Sequence, residues 1–293
     1  MRAARAQLVH GPANTLPLVR FGIPGVVTVH DLAIYEHPEW FVGGQWFATR
    51  VLVPLSVRRA RMIICPSRAT MEAAIRHFAI PAARCRVIPH GVEPEFALPV
   101  PASVRAEVQT RYALPERYLL QVGTVQPRKN YLTSLRALAR LPESQRLPLV
   151  AVGGFGWGYE PVVEVVARLR LTPWVRFVGY AGMADLPALY QLATAVLFPS
   201  LDEGFGLPVL EAFAAGTAVI ASNAGAIPEV AGNAAILGPA EDEEWLAGAI
   251  TRLREDAELR GRQVAAGRAR AALYTWAASA SAHASVYNAA AEG

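Results

Sequence analysis

Lysine is almost missing from this chain: of the 28 basic side chains in 293 residues, 27 are arginine and one, Lys129, is lysine. Lysine is therefore not used as a general solubilising charge, and the one present asks for a chemical explanation, with chance survival as the plain alternative. Cysteine is scarce too, with only Cys65 and Cys85. Two cysteines cannot staple a chain of this length, and without a Cys-x-x-Cys or Cys/His cluster no metal site is indicated. A reduced, cytoplasmic setting fits that usage. Long apolar runs are also lacking. The apolar, uncharged stretch between Glu211 and Glu229 is interrupted by Gly216, Ser222, Asn223, Gly225 and Pro228, so it does not read as a membrane span. Arg2 and Arg5 are not followed by an apolar block, and no signal peptide is read. A basic run of the nucleic-acid type is missing as well, and the net charge of +4 is small for the size.

What is present is a large apolar fraction, 53%, which excludes disorder and, at this length, suffices for two domains. The charge is uneven. Residues 1–99 hold 11 basic and 6 acidic side chains, whereas residues 100–293 hold 17 and 18. Dispersed surface arginines explain the early surplus most simply; an anionic partner or membrane headgroups are the alternative.

From about residue 117 the chain alternates short apolar runs with amphipathic segments. Strands are read at 118–122, 149–152, 175–178, 195–198, 218–221 and 235–237. Helices are read after Asn130, at 162–169, 186–192 and 209–215, from Glu241–Glu244 to Arg254, from Glu258, and over 276–290. The acidic cluster Glu241, Asp242, Glu243 and Glu244 complements a helix dipole and is structural first. The first third uses the same alphabet: strands at 26–29, 62–65 and 87–92, and helices around 47–59 and 67–78. Continuous apolar strands separated by helices predict a parallel sheet covered on both faces. The proline-rich stretch with Pro94, Pro99 and Pro101 reads as a linker.

In open α/β sheets ligands bind beyond the carboxyl ends of the strands, so the residues there are the candidates. Arg128 and Lys129 place two cations where a helix starts, and Gly204 and Gly206 leave backbone N–H groups bare ahead of another helix. Together these suit a diphosphate. Glu203 and Glu211, one on the loop and one about two turns into that helix, would repel phosphate but suit the hydroxyls of a sugar or ribose. His30 ends an early strand. Each has a bland explanation: a solvated Arg-Lys pair, a glutamate serving the dipole, a satisfied strand-end histidine. Their gathering on one sheet edge is what makes them a site. The Gly-rich segment 153–158 is a weak dinucleotide candidate, because Val178-Gly179-Tyr180 supplies no acid where the fingerprint requires one.

The stretch from Glu203 to Ser222 (EGFGLPVLEAFAAGTAVIAS) strongly resembles the signature of retaining glycosyltransferases of family 4, which have the GT-B fold. Gly123 to Asn130, Ile88-Pro89-His90-Gly91-Val92 and Thr28-Val29-His30-Asp31-Leu32 share the resemblance, so that it covers essentially the whole chain. It implies two Rossmann-like parallel-sheet domains facing a cleft. Residues 1–95, with the C-terminal helix 275–293, would form an acceptor-side domain that is N-terminally incomplete, lacking strands before residue 8. Residues 96–116 would be the linker and 117–274 the nucleotide-sugar domain.

By position, Arg128 and Lys129 resemble the pair that binds the donor diphosphate, and Glu211 the residue that holds the ribose. Glu203 resembles the contact to the transferred sugar, with the amides of Gly204, Phe205, Gly206 and Leu207 lining sugar and phosphates. His30 resembles the histidine that faces the reacting centre, while Tyr180, Pro199 and Ser200 lie where the base binds. The implied activity is transfer of a sugar, mannose in the first instance from GDP-mannose, to a glycan or lipid-linked acceptor hydroxyl with retention. No metal or other cofactor is implied. The aromatic stretch Tyr35 to Phe47 is a candidate acceptor contact, and peripheral association with the inner membrane face is compatible with a cytoplasmic enzyme. Two other readings stand beside this one: a non-catalytic sugar-nucleotide-binding remnant, and a pyridoxal-phosphate-dependent phosphorylase using Lys129.

Overall fold

The computed structural model describes residues 6–292 except 18, 21, 44 and 45; Arg2 and Arg5 thus lie outside the described residues. The chain forms two compact units. The first comprises Met1–Gly91, Glu203–Phe205 and Tyr274–Gly293, and the second Val92–Asp202 and Gly206–Leu273.

In the first unit, β1 (Val9–Gly11), β2 (Gly25–Thr28), β3 (Met62–Cys65) and β4 (Cys85–Val87) lie side by side in that order, all parallel. Successive residues face opposite sides of a strand. Accordingly Val27, Ile63 and Cys65 pack with Val57 of α2 (Val53–Arg59) and with Ala74 and Phe78 of α3 (Arg68–Phe78), after the short α1 (Ala33–Glu36). Their neighbours Val26 and Ile64 pack with Val286 and Ala290 of the C-terminal helix, Trp276–Glu292. That helix is also latched by a 2.8 Å hydrogen bond between the Tyr287 hydroxyl and His10 Nδ1.

Several elements differ from the sequence reading, among them three in the first unit. Strand β1 was not foreseen, since Val-His-Gly is too short and mixed to show a period. Strand β4 stops at Val87, ahead of Pro89, which has no N–H to give to a ladder. The helix read over 47–59 begins as a π-helical turn, Ala48–Leu52, ahead of Pro54, which cannot donate into a regular α ladder.

The second unit opens with what reads as a linker but is packed structure. Helix α4 (Ala102–Arg111) starts after Pro101, and Arg111 and Tyr112 both bond Asp185, at 2.7 Å each. Phe96 is buried against Tyr190, and Gln191 bonds the backbone of Leu98 and Val100. The prolines here flank helical turns, a use that composition cannot distinguish from a flexible connection.

The six-stranded parallel sheet holds β5 (Leu119–Val122), β6 (Leu149–Val152), β7 (Val175–Gly179), β8 (Ala195–Phe198), β9 (Val219–Ser222) and β10 (Ile236–Gly238) in the order β10-β9-β8-β5-β6-β7. The chain winds outward from β5 through β6 to β7, then returns to β8 and winds the other way. Strands β5 and β8 therefore flank the topological switch point, where open α/β sheets bind ligands. Helices α5 (Tyr131–Arg140), α6 (Glu160–Arg168) and α10 (Glu243–Glu255) bury Leu135, Leu138, Val162, Val165, Leu246 and Ile250 against one face. Helices α7 (Leu186–Leu192), α8 (Leu207–Ala215), α9 (Ile227–Ala231) and α11 (Ala257–Ala271) complete the unit. Among the described residues, no helix is long and apolar enough to cross a membrane.

Strands β5, β6 and β7 each end at a glycine with positive φ: Gly123 (+143°), Gly153 (+142°) and Gly179 (+71°). Gly153 packs directly on the Gly123 carbonyl, which leaves no room for a Cβ. We expect Gly153→Ala to destabilise the fold by about 2–4 kcal/mol through strain and backbone displacement, read as a lower urea midpoint. Gly154→Ala, where a Cβ meets open space, leaves the midpoint nearly unchanged.

Candidate active site

The loops after β5 and β8 are joined at the switch point. Pro127–Lys129 forms a single 3-10 turn, followed by Asn130 in the left-handed region (φ 52°) as the N-cap of α5. Asn130 Oδ1 accepts from the Thr133 hydroxyl at 2.9 Å, while Nδ2 donates to the carbonyls of Pro199 at 3.0 Å and Ala240 at 2.7 Å. The Leu201 amide donates to the Arg128 carbonyl, and Arg128 Nη1 donates to the Asp202 carbonyl. Gln121 Nε2 holds the Lys129 carbonyl at 2.9 Å, and Ser134 in turn fixes Gln121 Oε1. The Lys129 side chain lies along Gly123, with Nζ 5.1 Å from the centre of the buried Phe198 ring. Arg128 and Lys129 are thus set in a rigid turn just before α5, not on the helix itself.

Gly206, at φ +103°, is the N-cap of α8, and no side chain caps that end. Its first-turn amides and the helix dipole form an anion-attracting terminus. Because α8 begins at Leu207, Glu211 stands little more than one turn in, closer to the terminus than the two turns read from the sequence. Burial raises its pKa, opposed by the 2.6 Å hydrogen bond from the Tyr190 hydroxyl and by nearby Lys129. Ser200 is buried; its carbonyl accepts from Ser222, and its own hydroxyl has no hydrogen-bond partner among the described residues. Pro199 adjoins it, and Tyr180, just past the end of β7, is 80% exposed. The Gly-rich segment 153–158 packs on the Thr124–Pro127 loop through the Val125 and Phe155 bridge, so its glycines serve close backbone approach.

Glu203, Gly204 and Phe205 belong to the first unit, unlike Gly206 and Leu207. Gly204 lies against the His30 carbonyl, and its own carbonyl accepts from the hydroxyls of Ser67 at 2.8 Å and Thr70 at 3.0 Å. Ser67 also caps α3. Glu203 is buried. The His30 amide is held by Asn14 Oδ1, its Nε2 lies 2.6 Å from the Pro12 carbonyl, and its ring stacks on His90 at 5.5 Å. His90 packs edge-on against Phe205. The sequence reading singles out His30 and the glutamates by position. It passes over Tyr190, Ser67, Thr70 and Gln121, whose roles arise from contacts that local periodicity does not show. The aromatic stretch surrounds a cavity of about 460 Å³ lined by Tyr35, Phe41, Trp46, Arg50 and His77 among others.

Burial, with His30 and His283 adding to it, pushes the His90 pKa down from 6.5 to about 4. Between those values the unfolded chain binds the extra proton, so the stability contributed by the neutral ring is complete above about 6.5 and is lost as pH falls toward 4. Glu211, raised, acts with the opposite sign as pH rises. In urea titrations the folded state should weaken on acidification across this window, and His90→Gln should flatten that slope; an unaltered slope contradicts the assignment.

The chain matches two family models: glycosyl transferases group 1 over residues 106–270, and glycosyltransferase family 4 over residues 1–96. It is 31% identical over 280 residues to O-antigen chain mannosyltransferase B of Escherichia coli, covering 94% of this chain and 72% of that protein. It is 32% identical over 231 residues to the serotype-specific mannosyltransferase WbdA of the same organism, covering 76% of this chain but 28% of that larger one. Among solved structures, sucrose-phosphate synthase from Thermosynechococcus elongatus superposes with a TM-score of 0.76 at 28% identity, covering 92% of this chain and 68% of that one. HepE of Anabaena, in complex with UDP and glucose, has the same fold, with a TM-score of 0.78 at 24% identity over 91% of this chain and 72% of that one. The chain therefore belongs to the glycosyltransferases, group 1 and family 4, with the two parallel-sheet units of the GT-B fold.

Proposed function

We propose that this glycosyltransferase moves mannose from GDP-mannose to a hydroxyl of a glycan or lipid-linked acceptor, with retention of configuration and without a metal or other cofactor. The observation that carries the reading is the switch-point turn, which fixes Arg128 and Lys129 on loops bonded to one another. Two cations held there neutralise a departing diphosphate, and stabilising charge that builds on a leaving group is a large catalytic term. The uncapped start of α8, with the amides from Gly206 and Leu207, adds partial positive charge. Glu211 keeps one carboxylate oxygen on Tyr190 and offers the other to the ribose.

The hydroxyl of Ser200, beside Pro199, supports contact with the base, and exposed Tyr180 is free to stack on it. Glu203, with Gly204 and Phe205, contacts the transferred sugar, and His30 acts at the reacting centre. The mannose assignment rests on the names of the Escherichia coli relatives. The aromatic-lined cavity with Arg50 suits a glycan or a lipid-borne acceptor, which agrees with a cytoplasmic enzyme working at the inner membrane face.

Isothermal titration with GDP, UDP and ADP sugars tests the reading. GDP-mannose should bind most tightly, and Lys129→Ala should weaken it by about tenfold or more, the equivalent of about 1.4 kcal/mol. Unchanged affinity in that variant sinks the assignment of the diphosphate site. Turnover of GDP-mannose with inverted product would refute the stereochemistry.

A further inference from the structure

A second cavity in the nucleotide-side unit, about 530 Å³, lies at the opposite edge of the six-stranded sheet. Its lining includes Arg117, Thr194 and Ala218, which precede β5, β8 and β9, so it opens at the amino ends of the strands. Arg254 and Arg260 also line it, and the Arg268 guanidinium packs over its Gly216. Four arginines thus gather against two glutamates, Glu116 and Glu255.

Part of this charge serves the fold. Helices α7, α8 and α10 end at Leu192, Ala215 and Glu255, and Arg260 donates to the terminal carbonyls of α10 at Leu253 and Arg254. Arg254 pairs with Glu255 at 2.6 Å. Arg117 has no such duty: it stands on the loop before β5 and makes no hydrogen bond or ion pair with the described residues. A guanidinium has five N–H donors, so Arg254 and Arg260 retain donors after these contacts. Glu116 and Thr194 add hydroxyl-binding groups to the same wall.

The cavity is also wired to the opposite sheet edge. Thr217, in its lining, donates its hydroxyl to the Tyr190 carbonyl at 2.7 Å, and the Tyr190 hydroxyl donates to Glu211 at 2.6 Å. Helix α8 runs in parallel, carrying Glu211 in its body and Gly216, another lining residue, as its C-cap.

We propose that this cavity is a second ligand site for a phosphorylated sugar, with the phosphate on Arg117 beside Arg254 and Arg260 and the hydroxyls on Glu116 and Thr194, and that its occupancy alters nucleotide binding at Glu211. The coupling rests on the assignment of Glu211 to the ribose; the site itself does not. Phosphate monoesters match guanidinium donors, and a carboxylate in the same wall selects a ligand that also carries hydroxyls.

The test is isothermal titration of glucose 6-phosphate into the full chain carrying Lys129→Ala, which weakens the diphosphate site and leaves this one intact. Saturable binding is expected, tighter than that of inorganic phosphate and absent for glucose, and Arg117→Gln in the same background should weaken it by about tenfold. In the wild-type chain, saturating glucose 6-phosphate should shift the affinity for GDP severalfold, and GDP should shift that for glucose 6-phosphate by the same factor. No saturable binding in the Lys129→Ala chain, or an unchanged affinity in Arg117→Gln, overturns the site. Binding that leaves GDP affinity untouched overturns the coupling. A wild-type chain that binds glucose 6-phosphate but not GDP refutes the proposed function and not this site.

Discussion

The second unit depends on one side chain. Asn130 occupies a left-handed position that few residues tolerate, caps α5, and with its amide nitrogen ties the loop after β5 to the loop after β8 and to Ala240 beyond β10. Only an amide serves all of these contacts at once, since its oxygen accepts at the cap while its nitrogen donates to two carbonyls. A carboxylate of the same shape would set an acceptor against two carbonyls. Because the switch point is where a winding sheet leaves its loops apart, a residue that closes the gap converts two neighbouring loops into one rigid surface. Lys129 and Arg128 inherit their positions from it.

The motif around Glu203 to Glu211 follows a different logic. Its first part, Glu203–Phe205, is held within the first unit by Ser67, Thr70 and the His30 backbone, while Gly206 onward builds α8 of the second. Gly204 fits the contact with His30 because it has no Cβ. Glycine at 206 instead supplies a positive φ at the start of a helix. Two glycines two residues apart thus answer separate steric demands: close backbone approach at the first and a left-handed helix cap at the second.

Much of the second unit is legible in the sequence alone. Its strands are short apolar runs bounded by glycine, and its helices carry caps such as Asn130 and Asp242, so periodicity and punctuation agree. The first unit was harder. Val9–Gly11 has no pattern to read, and Pro54 and Pro89 interrupt elements that apolar content would extend. The proline-rich segment around α4 misled because proline opens helices as readily as it separates domains. Its attachment to Asp185 and Tyr190 depends on residues about 70 to 90 positions away.

The sequence by itself determined the class of fold, the family motif and the identity of the charged residues at the strand ends, because each is written locally, in periods of two or 3.6 and in runs of a few residues. Only the tertiary structure decided which strand ends are neighbours, that Glu211 shares its carboxylate with buried Tyr190, and that Arg117 meets Arg254 and Arg260 at the far edge of the sheet. Those relations are set by the order β10-β9-β8-β5-β6-β7, which brings together residues far apart in the chain, 69 positions in the case of Asn130 and Pro199. Local propensity carries no information about such pairings; burial of both sheet faces selects them.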